Sequence, residues 1–427
     1  MSAKTTQISK GAEGVFIKTD RFNTTLVSFN FYMPLSREHV AEYALLPFVL
    51  SSCSKAYPDF SRLNFKLAKL YGANLSASVE KVGDYQLLKL TVSVIDDRYT
   101  LDNELLCDSA LELLNQLIFE PKVQDSAFCE EDLAREKRKA IEHIKGEVSE
   151  KRIYAKKRLI EEMYKNEPYG VSKCGNEEQV EKITGKSLYQ AWCDILSHAF
   201  LRVNVISRNM PQGLFDSVAE KLQQIDRTDI TDFNGNIPTV KAKDINTVCE
   251  YMDIAQGKLC MGFSSELCGS DKNATALSVM CDIFGGGPYS RLFTNVREKM
   301  SLCYYCSSAS VKSKGLITVA SGVESENVEK AQAEILNQLD IMKQGKFTDF
   351  EFDSSIKSIT DSLNTYNDSQ ELLDVWYSIK IFDDELLSPE DTAKLVLAVT
   401  KQDVQNTAKG VNLHTVYKLL PKAVEKI

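Results

Sequence analysis

The residues of this chain that could contact and polarise a substrate stand seven positions apart, at Arg297 and Tyr304. A guanidinium can hold a carbonyl oxygen in place, and a phenol can donate a hydrogen bond to an oxygen that gains charge during a reaction. Three adjacent glycines at 285–287 precede the pair, and glycine allows torsions and close approaches of a partner chain that other residues forbid. Pro288 favours a helix start, and a β-prone segment begins at Leu302. The segment therefore predicts a loop, a helix and a strand that present Arg297 and Tyr304 to a cavity.

Residue types alone leave a second interpretation of this segment open. Arg297 would pair with a neighbouring acid, Tyr304 would pack in the core, and the glycines would form an ordinary tight turn. Phosphate binding is not indicated, because the glycine spacing matches neither a dinucleotide fingerprint nor a P-loop.

Two cysteines in the same segment, Cys303 and Cys306, form a C-x-x-C pair. No second pair and no nearby histidine completes a zinc knuckle. In a regular strand, residues three apart point to opposite faces, so the two thiols would be too far apart to share a metal easily. The eleven cysteines of the chain are scattered and odd in number, which favours buried reduced thiols over a disulfide framework.

Length and composition describe an ordinary globular protein of about two or three domains. The chain has 427 residues, 43% of them hydrophobic, and its formal charge of -9 argues against a nucleic-acid surface. No apolar run approaches the roughly 18 residues that cross a bilayer, and the polar first residues lack the hydrophobic core of a signal peptide. We therefore expect a cytoplasmic protein that binds neither nucleic acid nor membrane.

The second half of the sequence repeats the first. ELLNQL at residues 112–117 recurs as EILNQL at residues 334–339, and the segment 183–188 recurs at 399–404. The lag of roughly 216 to 222 residues is too long for a solenoid and suits two duplicated domains. We predict an N-terminal domain at residues 1–225, a glycine- and proline-containing linker at 226–244 and a C-terminal domain at 245–427.

Hydrophobic periodicity predicts the elements of the first half. Residues 14–34 alternate as two strands around a turn at Thr19 to Asn23, which predicts a hairpin. Long helices are predicted from about Leu101 to Phe119 and from about Ser126 to Lys165, the latter with a densely charged outer face.

Three short runs in the second half resemble the insulinase and mitochondrial-processing-peptidase family, also called the pitrilysin type. The runs are Ser290-Arg291-Leu292-Phe293, Arg297-Glu298-Lys299 and Leu302-Cys303-Tyr304. In that family an arginine and a tyrosine seven positions later face the substrate at the zinc site. The glycines stand where the alpha subunit of the processing peptidase has a longer glycine-rich substrate loop. The resemblance thus assigns substrate contacts to Gly285, Gly286, Gly287, Ser290, Arg297 and Tyr304.

The resemblance also implies an α+β fold. Family members are built from two homologous domains, each a mostly antiparallel sheet with long helices packed on one face, and pairs of two-domain chains enclose a chamber. The segment GKLCMGFS at residues 257–264 looks like the opening strand of the second domain. The resemblance covers nearly the whole chain, and its specific part is the block from Phe284 to Tyr304.

The zinc motif of catalytic family members is missing from this chain. They carry His-x-x-Glu-His on a helix of the first domain, where two histidines and a distant glutamate bind zinc and the motif glutamate activates water. The position of the distant glutamate falls near Glu142 and His143, and an upstream run with His39 and Glu42 lacks the second histidine. The residues at the motif position, which neither bind a metal nor move a proton, are Ala44, Leu45, Leu46, Pro47 and Phe48.

These features imply a noncatalytic subunit that binds peptide and supplies Arg297 and Tyr304 to the zinc site of a homologous partner. The chain itself would hold no cofactor, zinc would belong to the partner subunit, and the isolated chain could form a homodimer. More narrowly, ALLPFVLSSCSKAYPD and LAKLYGANLSASVEKVGDYQ resemble a bacterial branch catalogued as associated with the aminopentanol modification of elongation factor P.

Two alternatives remain open. In the first, the chain is a structural or peptide-holding scaffold without a proteolytic role, and Arg297 and Tyr304 are relics or core residues. In the second, it is a standalone zinc peptidase with an atypical site that uses His39 and Glu42.

Overall fold

Segments with alternating apolar residues form the strands, and segments with apolar residues every three or four positions form the helices. The structure is a computed structural model that describes residues 2–210, 213–232, 237–265, 267–269, 272–383 and 385–422. In these ranges the strands are β1 (Ser2–Ser9), β2 (Ala12–Lys18), β3 (Thr24–Pro34), β4 (Asn74–Val82), β5 (Tyr85–Ile95), β6 (Val123–Gln124), β7 (Ala127–Phe128), β8 (Phe200–Ser207), β9 (Asn246–Met252), β10 (Gly257–Ser264), β11 (Cys303–Val311), β12 (Leu316–Val323) and β13 (Asn412–Pro421).

The α-helices are α1 (Val40–Leu50), α2 (Phe60–Lys69), α3 (Leu106–Phe119), α4 (Glu130–Ser149), α5 (Lys151–Met163), α6 (Glu177–Lys182), α7 (Gly185–His198), α8 (Asp216–Gln223), α9 (Lys272–Gly285), α10 (Val328–Lys343), α11 (Asp349–Thr365), α12 (Gln370–Ile379), α13 (Pro389–Leu397) and α14 (Lys401–Gly410). Residues Leu292–Lys299 form a π-helix. Within the described ranges, no helix is both long and apolar enough to cross a bilayer.

The chain divides into two structural units, each containing a segment from the other half of the sequence. Unit 1 comprises residues 1–145, 171–233 and 366–381, and unit 2 comprises residues 146–170, 234–365 and 382–427. Unit 1 thus contains α12, and unit 2 contains α5. The predicted division at residues 226–244 does not include this exchange of α5 and α12 between the two halves. Hydrophobic periodicity shows that a segment is helical, but it does not show which sheet the helix covers. Residues 233–236 of the predicted linker lie outside the described residues.

Unit 1 is built on a six-stranded sheet with the order β1-β2-β8-β3-β5-β4. β2 and β8 run parallel, whereas the other neighbouring strands of this sheet are antiparallel. On β3, Phe29 and Phe31 belong to the large apolar core that α1, α3 and α7 complete. The alternate residues Ser28 and Asn30 point to the opposite face, because successive strand residues alternate.

β2 and β3 do not form the hairpin that residues 14–34 predict. β8 lies between them, parallel to β2 and antiparallel to β3. Seven of its eight residues are buried, as expected of a strand covered on both faces. Local alternation identified both strands and their connection, but it could not identify a neighbour that lies far along the chain.

Unit 2 repeats this topology with a five-stranded sheet in the order β9-β13-β10-β12-β11. β9 and β13 are parallel and the other pairs are antiparallel, so the strands correspond in order to β2, β8, β3, β5 and β4. The repeated sequences lie in α3 and α10, and Thr184 and Thr400 cap α7 and α14 with the same capping box. The predicted α+β fold with two homologous domains is therefore confirmed.

The helix predicted from about Ser126 to Lys165 is two helices. α4 ends at Ser149, and the Glu150 side chain caps α5 by accepting a hydrogen bond from the backbone N–H of Arg152 at 3.1 Å. α4 lies mainly in unit 1, whereas α5 lies wholly in unit 2. The sequence did not predict this boundary, because charged residues typical of a solvent-exposed helix face occur both before and after it.

α12 covers the polar face of the first sheet. Gln370, Asp374 and Ser378 are four residues apart and therefore lie on one side of the helix. The Gln370 amide donates to the carbonyl oxygen of Thr24 at 2.6 Å, and the Ser378 hydroxyl donates to Oδ1 of Asn30 at 3.0 Å. A polar stripe on the helix thus matches polar residues on the strands.

Asp374 makes the central contacts of this interface. Its Oδ1 accepts hydrogen bonds from Ser28 Oγ at 2.7 Å and from Asn204 Nδ2 at 2.8 Å, and its carboxylate forms an ion pair with Lys89. Both charged residues are buried. Burying a charge without a partner is costly, so helix and sheet require each other in this register.

α5 covers the corresponding face of the second sheet by apolar contacts. Ala155 and Leu159 form a buried cluster with Cys260 and Tyr417. One turn further along, the helix approaches the sheet closely, since a Cβ at Gly262 would lie 2.6 Å from Sδ of Met163. The central contacts of α12 with its sheet are thus polar and those of α5 are apolar, while the Tyr154 hydroxyl of α5 also donates to Oε1 of Glu250 on β9 at 2.7 Å.

Replacing Asp374 with alanine leaves the Lys89 ammonium buried without its counter-charge. We expect the free energy of unfolding to fall by about 3–5 kcal/mol, as when one partner of a buried ion pair is removed. Urea denaturation followed by circular dichroism measures this change. Glu371→Ala, on the exposed side of the same helix, is the matched control and should cost less than about 1 kcal/mol. Equal losses in the two variants would contradict the assigned role of Asp374.

Candidate functional site

Three of the five residues at the position of the zinc motif, Ala44, Leu45 and Phe48, line a cavity in unit 1. α1 continues through Pro47, so Ala44 and Phe48, four residues apart, lie on one helix face. Together with Ala140 and His143 of α4, they line a cavity of about 410 Å³. The structure thus brings the motif position and His143 to one place, and aliphatic and aromatic carbon forms most of the wall.

Glu136 is the acidic group of α4 that lines this cavity, and the sequence analysis did not single it out. It is buried, and its Oε1 accepts hydrogen bonds from Nε of Arg135 and Nζ of Lys139, both at 3.0 Å. Two cations therefore already hold its carboxylate. The sequence could have indicated Glu136 as a cavity residue through its spacing of seven residues from His143, because this spacing places both side chains on one face of α4.

The histidine of the alternative zinc site lies apart from this cavity lining. His39 precedes α1, is half-exposed and packs its ring 5.8 Å from that of Tyr43. Its Nε2 lies 4.0 Å from the nearest carboxylate oxygen of Glu38, and no short contact with Glu42 accompanies it. Across the part of the chain that the structure describes, no group of three His, Cys, Asp or Glu residues could hold a metal ion.

An edge strand borders the cavity. β4 is the last strand of its sheet, antiparallel to β5 along its whole length, and residues 77–80 of β4 line the cavity. The outer edge of such a strand offers backbone N–H and C=O groups to another extended chain. The cavity and this edge together can hold an extended peptide with one side chain in the apolar space.

Tyr304 is exposed in unit 2 and not packed in the core. Its side chain is 64% exposed, and its hydroxyl donates a hydrogen bond to Oε1 of Glu324 at 3.0 Å. This hydrogen bond raises the pKa of Tyr304, so the phenol keeps its proton and can act as a donor. The interpretation that buries Tyr304 is wrong.

Arg297 is also accessible, and it does have a neighbouring acid. Its side chain is 41% exposed, with Nε 3.6 Å from Oε1 of Glu298, and the guanidinium lies 4.6 Å from the centre of the Phe293 ring. An exposed pair at this distance holds the guanidinium weakly. Arg297 therefore remains available to an incoming ligand.

A β-bulge explains why Tyr304 points outward. Cys303 pairs with Val323 and Cys306 pairs with Ser321, so three steps along β11 match two steps along β12. Tyr304 is the extra residue. The expectation that the two cysteines point to opposite faces is wrong, because Val323 and Ser321 share a face and so do their partners.

One of the three glycines at 285–287, Gly285, has a structural role in addition to the predicted substrate contact. None of the three has a φ angle in the left-handed region. Gly285 ends α9, where a Cβ would lie 2.6 Å from the backbone nitrogen of Ser308, so glycine allows the helix to pack closely on β11. Ser290 is completely buried, so a substrate contact of its side chain would require the turn to open.

The helix predicted after Pro288 is a π-helix at Leu292–Lys299. The backbone N–H of Met300 donates to the carbonyl of Asn295 at 3.2 Å, a spacing of five residues. π-helical turns are rare and are often found at functional sites. In this chain the wide turn carries Arg297 directly before β11.

Known proteins resemble this chain over nearly its full length. The family model described as "Peptidase M16 inactive domain" matches residues 183–359. The chain is 30% identical over 410 residues to "Probable inactive metalloprotease YmfF" of Bacillus subtilis, a match that covers 96% of each chain.

Solved structures share the fold. A conserved protein from Enterococcus faecalis superposes with a TM-score of 0.92 at 25% identity, covering 99% of this chain and 100% of that one. A peptidase M16 inactive domain from Pseudomonas fluorescens has a TM-score of 0.78 at 16% identity and is covered completely.

Two substitutions should create a zinc site in the cavity. Ala44→His together with Phe48→His adds two imidazoles next to His143, and three histidines are a known zinc ligand set. We expect about one zinc ion per chain after dialysis, measured by inductively coupled plasma mass spectrometry. The control is the same double variant with His143→Ala, which should lose the metal. Equal zinc contents in the two variants would contradict this placement of the three positions.

Proposed function

Because the chain belongs to the peptidase M16 family and has no zinc motif in its first domain, we propose that it is the noncatalytic, peptide-binding subunit of a two-chain zinc peptidase. The resemblance to the insulinase and processing-peptidase family is confirmed at this level. As an inactive metalloprotease homologue, the chain would leave zinc and the general base to a homologous partner.

The observation that carries the proposal is the apolar cavity at the motif position. Ala44 and Phe48 stand where metal ligands would be needed, and the nearby Glu136 carboxylate is held by two cations. Such a site cannot activate water by the family's mechanism, which needs a metal and a free carboxylate. It can still bind an apolar side chain, because the volume and the lining suit one.

The proposed peptide lies along β4 in an extended conformation. Backbone hydrogen bonds to the free edge would give affinity for any sequence, and alternate side chains would point towards the sheet face. A large apolar side chain at one position would fill the cavity beside Phe48 and Ala140. This binding mode favours partly unfolded substrates, since a folded strand has no free edge to offer.

Arg297 and Tyr304 are proposed to act on a substrate at the partner's zinc. The phenol would donate a hydrogen bond to the scissile carbonyl as its oxygen gains charge, and the guanidinium would orient a nearby carbonyl. Glu324 holds the Tyr304 hydroxyl in the absence of substrate, so a substrate oxygen would take over this hydrogen bond. Gly286, which is exposed in the turn before the π-helix, leaves room for a peptide backbone.

Filling the cavity should weaken peptide binding by the chain alone. Ala140→Trp places an indole in the space beside Phe48, and we expect the Kd for fluorescein-labelled, unfolded casein to rise at least roughly tenfold. Fluorescence anisotropy measures the Kd. The matched control is Ala134→Trp on the exposed side of α4, which should leave affinity unchanged. An unchanged Kd in the Ala140→Trp variant would contradict binding at this cavity.

Removing the Tyr304 hydroxyl should slow the assembled pair. Tyr304→Phe should lower kcat by roughly 10²-fold, the usual effect of losing one donor aimed at developing charge, and Arg297→Ala should have a similar effect. The readout is steady-state cleavage of an internally quenched fluorescent peptide, with assembly checked by size-exclusion chromatography. The matched controls Tyr251→Phe and Lys299→Ala alter exposed residues of the same kind and should leave kcat unchanged.

The scaffold alternative gives different results in the same experiment. If both variants assemble and cleave normally, Arg297 and Tyr304 have no catalytic role and the chain is a holder of peptide or of its partner. A pull-down from native cells adds an independent result. Recovery of a similar-sized protein with His-x-x-Glu-His supports the peptidase pair.

A further inference from the structure

The bulge at Tyr304 places two thiols side by side. Cys303 and Cys306 face the same side of β11, because their partners on β12, Val323 and Ser321, lie two residues apart and therefore share a face. Both are free thiols in the structure. A regular strand would separate them, so the extra residue is what brings the two sulfur atoms together.

The two sulfur atoms differ in their affinity for a proton. Hydrogen bonding by the Cys306 thiol lowers the pKa of Cys303, against burial, which raises it, and the Ser321 hydroxyl and the Arg297 guanidinium add smaller lowering contributions. The same hydrogen bond, together with burial, raises the pKa of Cys306. One sulfur is therefore ready to attack and the other carries the proton, as in thiol pairs with an attacking and a resolving cysteine.

Proton affinity distinguishes Cys303 from the buried cysteines elsewhere, because its exposure of 8% is close to the 7% of Cys53. Burial raises the pKa of Cys53, whereas the pKa of Cys303 is lowered. Burial raises the pKa of both Cys260 and Cys281 to about 12. These two thiols are inert near neutral pH because the thiolate is the reactive form.

We propose that Cys303 and Cys306 are a redox-active thiol pair that hydrogen peroxide converts into a reversible disulfide. This modification is independent of the proposed peptidase role, since it needs only this chain and a small hydroperoxide. In the oxidised chain, a covalent link would close the bulge whose extra residue is Tyr304.

The reaction balances in two steps. The Cys303 thiolate attacks one peroxide oxygen, the O–O bond breaks, the sulfur becomes a sulfenic acid and the other oxygen leaves as water once protonated. The Cys306 sulfur releases its proton and attacks the Cys303 sulfur, the S–O bond breaks and a second water leaves. Two thiols thus lose two hydrogens to one hydrogen peroxide, and dithiothreitol reverses the oxidation.

Peptide mapping of the folded, full-length chain tests this proposal directly. Trypsin cuts after Lys299 and Lys312, so the peptide from Met300 to Lys312 contains both cysteines of the pair and no other. The reduced chain is treated with hydrogen peroxide, the oxidant is removed with catalase, and free thiols are then blocked with N-ethylmaleimide under denaturing conditions. We expect a peptide without maleimide that is two hydrogens lighter than the dithiol form, and full recovery of both alkylation sites after dithiothreitol.

Two variants and a urea-denatured sample test whether the disulfide depends on the folded thiol pair. Cys306→Ser should stop the reaction at a Cys303 sulfenic acid that dimedone traps, whereas Cys281→Ser should leave disulfide formation unchanged. Circular dichroism confirms that each variant is folded, and in urea the preference over Cys260 should disappear. The proposal is overturned if the peptide of the folded chain carries two maleimides while the exposed Cys249 is oxidised, or if the disulfide forms in urea only.

Discussion

The structure depends on the burial of Asp374 against the sheet of unit 1. This carboxylate comes from the second half of the sequence, and its partners Ser28, Lys89 and Asn204 come from the first. Since the Lys89 ammonium and the Asn204 amide donate to Asp374 and Ser378 of α12, the first half of the chain cannot complete its own sheet. The reciprocal placement of α5 on the second sheet makes the dependence mutual, so each half of the chain needs a helix from the other half.

On this shared framework, a few residue types decide the chemistry of the cavity in unit 1. Helix α1, the edge strand β4 and the cavity lie together at the position that the resemblance assigns to the zinc motif. Ala44 and Phe48 offer no metal ligand and Glu136 is paired to two cations, so these residues cannot activate water by the family's mechanism. We propose that the cavity binds peptide instead. The equivalent edge of the second sheet is β11, where the bulge exposes Tyr304 and brings the thiols of Cys303 and Cys306 together.

The repeated sequences alone predicted the duplication, whereas the α+β fold and the loss of the metal motif were predicted through the resemblance to a known family. Prediction from sequence failed where the outcome depends on distant parts of the chain. The insertion of β8 between β2 and β3, the exchange of α5 and α12, and the bulge at Tyr304 are fixed by strand neighbours that periodicity does not encode. The cavity required the same information, since Ala44 and His143 are 99 positions apart in the sequence and meet only through packing.

In the proposed function, the chain alone binds peptide and does not cut it. Cleavage requires a zinc-bearing homologue. The most direct measurement compares the turnover of one internally quenched peptide by the purified chain, by the zinc-bearing homologue of the same cell and by the two together. We expect no turnover by the chain alone, and faster turnover by the two proteins together than by the homologue alone. Turnover by the chain alone that a zinc chelator abolishes, at constant specific activity through purification, would contradict the proposed function.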